Sequence, residues 1–349
     1  MRIEVTGEPD VDDIGHNWQV SSEDEADVTS SKVLTPPRIL TVDDLRALKV
    51  DASEMLFDGM PIPTRGASLV VGAAKSGKTL LAVQQAAAVA SGIALFDNYR
   101  VLKQGAALIV EQDDPGGEAS VKAIIEASKV KDIPLYTATR LEFGLGPEMI
   151  DWLEEQAAKL SLRLIVLDSY TALRGPRTAG IDICKAEQGD LMLLDALAKR
   201  IDSAIVIIHH ASKGSAAMDW TEKAAGTYVM SAATEAQVHV SRFGELEGPA
   251  PERLIRVRGR HAADLELVLR FRKQTLDYEH VLEGGAAPFY PLILQLQTEF
   301  GSETFGAKEL SHRTGVSRAT AHRQIDRLYR SDVLVKRGYG TYALKVVTL

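Results

Sequence analysis

The stretch Ser68-Leu69-Val70-Val71-Gly72-Ala73-Ala74-Lys75-Ser76-Gly77-Lys78-Thr79 runs an apolar strand straight into a loop bounded by glycines. Gly72, Gly77, Lys78 and Thr79 fill the fixed places of G-x-x-x-x-G-K-[ST], the phosphate-binding loop pattern. Glycines admit the backbone angles that turn successive N–H groups onto one anion. Lys78 brings a mobile positive charge to the outer phosphates, and the Thr79 hydroxyl suits a magnesium shell. A helix predicted over 78–91 directs its positive dipole end at the same place. Gly72, Ala73, Ala74, Lys75, Ser76, Gly77, Lys78, Thr79 and Leu80 are therefore expected to hold ATP, with Mg2+ as the companion ion.

Working outward, the strand and helix belong to a regular alternation. Strands are predicted at 68–71, 106–110, 135–137, 162–167 and 204–208, and helices at 78–91, 117–128, 147–159 and 185–200. Continuous Val/Ile/Leu runs alternating with amphipathic helices signal an α/β fold, a mostly parallel sheet covered on both faces. After about residue 227 the strands become shorter and more polar. Those at 236–241, 253–258 and 266–271 are expected as antiparallel additions at the sheet edge. Three regions follow: an acidic, disordered segment over 1–38, an ATPase core over 39–283, and a small unit over 288–349. A short helix within 39–50 has Thr41 as its cap, with Asp43 and Asp44 in its first turn.

The 349 residues are 45% hydrophobic and 25% charged, as in ordinary globular proteins. The net charge of −8 is uneven. Residues 1–60 carry 5 basic and 14 acidic side chains, whereas 289–349 carry 9 basic and 5 acidic. Nucleic-acid contact is thus expected to be regional. No apolar run reaches membrane-spanning length and no secretory start is seen, so a cytoplasmic location without membrane contact is expected. Cys184, the single cysteine, excludes an internal disulfide.

Leu164-Ile165-Val166-Leu167-Asp168 is a buried-strand pattern ending in a carboxylate. Parallel strands gather their C-terminal ends at one edge, where ligands bind, so Asp168 is expected to join Thr79 around the metal. Hydrolysis also needs a group that orients or deprotonates water. Glu111-Gln112-Asp113-Asp114-Pro115 ends the second strand at that edge, and either Glu111 or Asp113 could serve. The fourth strand ends in His209-His210. Successive strand residues face opposite sides, so one histidine is expected to pack and the other, taken as His210, to meet the nucleotide.

Together these elements resemble the RecA-like ATPases, in particular the RepA-type branch of plasmid and phage hexameric helicases. The matching residues are Leu56-Phe57-Asp58-Gly59, the phosphate loop, the Glu111–Pro115 turn, the Asp168 strand and His209-His210-Ala211-Ser212-Lys213-Gly214. Gly259-Arg260-His261 resembles that branch's Gly-Arg-Asp turn. The resemblance implies a ring of identical subunits with shared ATP sites, a hexamer, in which Arg260 is the arginine finger given to a neighbour. It also implies loops lining a channel for single-stranded DNA, here carrying Arg174, Arg177, Lys213 and Lys223. Two departures stand out. An ungapped match puts the branch's catalytic Glu on Asp113, and its Arg-Gly-Ser-Ser-Ala-Leu stretch has only Ala225–Ser231 in its place. A KaiC-like or recombinase-like regulatory ATPase without unwinding activity is the competing reading. A small-molecule kinase lacks its arginine-rich lid.

The last sixty residues resemble a winged helix-turn-helix. Helices are expected at 307–313 and 317–329, the second capped by Ser317, then strands at 333–337 and 341–344. Arg318, His322 and Gln324 on the second helix and Arg337 on the wing would contact duplex DNA. The same unit could instead dock a protein.

Overall fold

The computed structural model describes residues 41–47, 54–113, 118–128, 130–174, 182–210, 230, 232–243, 251–260 and 262–345, with the backbone alone for Leu45 and Cys184. The expected disordered segment lies outside the described residues. So do Arg177, Lys213 and Lys223. The chain divides into two units, 1–50 and 51–349. In the first, helix α1 spans Val42–Ala47. The Thr41 hydroxyl accepts the Asp44 N–H at 3.2 Å and the Asp44 carboxylate accepts the Thr41 N–H at 2.9 Å, a reciprocal cap.

The second unit is built on one nine-stranded sheet. Its parallel part comprises β3 (Gly66–Gly72), β4 (Ala106–Glu111), β5 (Leu135–Thr139), β6 (Leu162–Asp168), β7 (Ala204–His210) and β8 (Ala236–Arg242). Antiparallel strands β9 (Glu252–Gly259), β10 (Leu265–Arg272) and β11 (Asp277–Glu283) extend one side. The spatial order is β11-β10-β9-β8-β3-β7-β6-β4-β5. The α/β, mostly parallel fold read from the alternation is the fold found.

Alternate residues of each apolar run go to opposite faces. Val70, Leu164, Val166, Val206 and Ile208 join one core with α2 (Lys78–Ser91). Leu69, Val71, Ile165, Leu167, Ile205 and Ile207 join the other, with α4 (Pro147–Leu160) and α6 (Ile183–Arg200). The two cores explain why these strands read as continuous rather than alternating. Helix α3 (Glu118–Ser128) contributes Val121 to the first core, and the short α5 (Tyr170–Leu173) follows β6 directly.

One strand differs in direction from the expectation. The segment expected as an antiparallel edge addition, β8, pairs in parallel with β3 and lies inside the sheet. The chain returns to the starting edge between β7 and β8, so β8 enters on the free side of β3. Only from β9 onward does it reverse. A hairpin of β1 (Met55–Phe57) and β2 (Met60–Pro63) is also beyond the expected elements, although its Asp58-Gly59 turn carries a hairpin signal.

After β11 a 3-10 helix (Gly284–Phe289) leads into α7 (Tyr290–Phe300), α8 (Ala307–Thr314) and α9 (Arg318–Arg330). Strands β12 (Leu334–Gly338) and β13 (Thr341–Leu344) form a closing hairpin. Ile293, Leu296, Leu310, Ala321, Ile325 and Leu328 form its core. Ala287 and Tyr290 pack on Phe243, Leu254 and Val268, joining these elements to the sheet. Among the described residues, no helix is long and apolar enough to cross a membrane.

Candidate functional site

The site lies where β3, β4, β6 and β7 end together. Register places Gly72 beside His210 and Glu111 beside Asp168. Two glycines are demanded by space. A Cβ on Gly72 would come within 2.4 Å of the Val240 carbonyl oxygen. Gly77 has φ +99, and a Cβ there would meet the Tyr278 hydroxyl at 2.0 Å.

Lys78 folds back over the loop. Its ammonium donates to the Gly72 and Ala73 carbonyls at 3.1 and 3.0 Å and lies 3.1 Å from Nδ1 of His210. Burial holds the Lys78 ammonium below its ordinary range, and the nearby Asp168 and Asp113 carboxylates restrain that fall. The Thr79 hydroxyl donates to Asp168 Oδ2 at 2.6 Å. Burial pushes Asp168 above the usual carboxylate range. The Thr79 hydrogen bond, Lys78 and His210 act against that push, while the Asp113 charge adds to it.

The two carboxylates of the β4 end occupy different settings. Glu111 is buried and accepts the Asp113 N–H at 2.8 Å. The Asp113 side chain is 40% exposed and lies 2.9 Å from His210 Nε2. His209 faces the other way, edge-on to Tyr170 with centroids 5.7 Å apart. Burial, reinforced by His210, Arg174 and Lys78, lowers its pKa to about 4. Tyr170 in turn donates to Asp190 at 2.7 Å.

The structure thus brings together Lys78, Thr79, Glu111, Asp113, Asp168 and His210. Arg260 lies elsewhere, at the N-terminal edge of the sheet. It donates to the Ala232 carbonyl at 2.8 Å and faces Glu235 at 3.4 Å. Arg174 is bonded to the buried Glu187 at 2.6 Å, at the end of α5. Arg318 and His322 are exposed on α9 and Arg337 on β12, whereas Gln324 turns toward the core flank of α9. Sequence reasoning missed Arg242, Arg253 and Tyr278, which close on the phosphate loop from β8, β9 and β11. Their placement depends on the chain reversing after β8, and no local pattern marks it.

The donor set fits a triphosphate: a glycine-walled loop, a lysine and a helix N-terminus converge on one point. Among the described residues no three His, Cys, Asp or Glu side chains could jointly hold a metal. A hard divalent cation would therefore take Thr79 and Asp168, with phosphate and water oxygens completing its shell.

This fold and phosphate loop define a RecA-like P-loop ATPase. The AAA domain family matches residues 30–216, more than half of the chain, and the chain belongs to that family. Among solved structures, the ATPase domain of a helicase superposes with TM-score 0.50 and 10% identity, covering 63% of this chain and 86% of that one. The RadB recombinase gives TM-score 0.45 and 17% identity, covering 63% and 92%. None of the curated proteins matches the sequence.

Proposed function

We propose that the chain is a RepA-like DNA helicase subunit, hydrolysing ATP with Mg2+ to move on single-stranded DNA within a ring. The observation that carries this reading is the position of His210. It contacts Lys78 on one side and Asp113 on the other, and the chain leaves it directly into residues 211–229, which hold Lys213 and Lys223. A change at the outer phosphate would reach that segment through one imidazole. Helix α5, ending at Arg174, leaves the Asp168 strand at the same edge. Both segments carry cations suited to a phosphate backbone.

In this reading Thr79 and Asp168 hold the magnesium, and Lys78 neutralises charge on the transferred phosphoryl. Asp113 orients the attacking water, since its carboxylate is open to solvent and hydrogen-bonded to His210. Glu111 is committed to the turn that positions Asp113. Arg260 is proposed as the neighbour's arginine finger on the strength of the RepA-type resemblance, and it would have to release Glu235 to act. The C-terminal helices and hairpin are proposed as a winged helix-turn-helix spanning 288–349, with Arg318, His322 and Arg337 toward duplex DNA.

Single-stranded DNA should stimulate ATP turnover by the wild-type chain, a forked duplex should be unwound, and Lys78→Ala should abolish both. Turnover that ignores single-stranded DNA, with no unwinding, would instead favour a regulatory ATPase.

A further inference from the structure

We propose that Arg242 and Arg253 are positioning residues for the nucleotide phosphates, acting from strands beyond the family match at 30–216. Arg242 donates from Nη2 to the Lys75 carbonyl at 2.5 Å. Arg253 donates from Nε to the Ser76 carbonyl at 2.9 Å. The two arginines are register partners across β8 and β9, so they approach adjacent peptides of the loop as a pair.

The peptide plane explains what these bonds do. In a trans peptide the C=O and the following N–H point to opposite sides. Drawing the Lys75 and Ser76 carbonyls outward therefore turns the Ser76 and Gly77 amide hydrogens the other way, across the loop. The remaining carbonyls have other partners. Those of Gly72 and Ala73 take the Lys78 ammonium, and that of Gly77 takes the Leu81 N–H at 3.0 Å. Lys75 and Ser76 precede the helix, and the arginines serve them instead. Two guanidinium groups beside the loop also raise the positive potential where an anion is held.

Arg253 is itself held in place. It hydrogen-bonds to the Tyr278 hydroxyl, the group that stands over Gly77. The Tyr278 backbone exchanges two 2.8 Å hydrogen bonds with the Gln84 side chain of α2. Strand β11, Arg253 and the helix behind the loop form one connected support. The inference needs only the ATPase reading and nothing about DNA.

The test uses the full chain, with Arg253→Met, Arg242→Met, their combination and Arg253→Lys. The readouts are the dissociation constant for a fluorescent ADP, its displacement by pyrophosphate, and the nucleotide-free melting temperature. Each Met variant should raise the ADP Kd about tenfold, as expected for losing one charge-assisted hydrogen bond, and weaken pyrophosphate displacement in parallel. Arg253→Lys should recover part of the loss, and the nucleotide-free melting temperature should stay within about 3 °C. An ADP Kd within about twofold in the double variant overturns the proposal. So does a loss that Arg253→Lys shares in full or that tracks a collapsed melting transition. Neither readout involves DNA, so this failure is separable from failure of the helicase reading.

Discussion

The His210 imidazole stands between the Lys78 ammonium and the Asp113 carboxylate, 3.1 Å from the first and 2.9 Å from the second. An ammonium can only donate, so Nδ1 accepts from Lys78. The ring proton then sits on Nε2 and is donated to Asp113. The tautomer is thereby set by the phosphate-binding lysine, and the carboxylate proposed to face water is held by the same ring.

Asp113→Asn should reduce kcat about a hundredfold or more while leaving the ATP dissociation constant within about threefold, because it touches water activation and not the phosphate cradle. Glu111→Gln should leave a larger share of kcat. Steady-state turnover together with ADP titration checks both. If Glu111→Gln is the dead variant and Asp113→Asn the active one, the roles are reversed.

Asp168 is raised by burial, so its contribution to stability is present below the unfolded carboxylate pKa and lost as pH rises through its higher folded value. At neutral pH the nucleotide-free protein therefore carries a costly buried charge. Asp168→Asn should melt at the same temperature or higher without nucleotide, yet lose magnesium-dependent turnover by about a hundredfold. Calorimetry at neutral pH, paired with hydrolysis assays, would show the two effects moving in opposite directions.

His209 titrates in the other sense. Its folded pKa, lowered from 6.5 to about 4, gives stability that is present above 6.5 and lost as pH falls toward 4. The shift corresponds to about 3 kcal/mol. Denaturant unfolding at pH 7.5 and pH 4.5 should show a smaller acid loss in His209→Phe, which keeps an aromatic edge against Tyr170. An unchanged acid loss in that variant would refute the assignment.

Gly77→Ala should destabilise the protein by at least about 2 kcal/mol, from the positive φ and the clash with Tyr278 together. Adding Tyr278→Ala removes the clash but not the backbone strain. The double variant should therefore recover part of the loss relative to the sum of the two single changes. Strict additivity in urea unfolding would show that the two residues do not touch.

The phosphate loop, the α/β alternation and the carboxylate at Asp168 were legible because each is written locally. A glycine pattern follows an apolar strand, and a Val/Ile/Leu run ends in Asp. The Ser317 cap was equally local, and its hydroxyl accepts the Thr320 N–H at 3.2 Å. What chain order could not express was direction and reach. The parallel pairing of β8 follows from which side of β3 remained open, and that is settled only when the whole sheet assembles. The bonds from Arg242 and Arg253 to the phosphate loop depend on that assembly, spanning 167 and 177 residues of sequence. The choice between Glu111 and Asp113 likewise rests on burial and on contact with His210, which strand-end position alone leaves open. Sequence by itself determined that a phosphate is bound and by which loop, since backbone conformation there depends on the residues in place. Tertiary structure decided which distant side chains hold that loop, because hydrogen bonds between remote strands form only where the folded sheet brings their ends together.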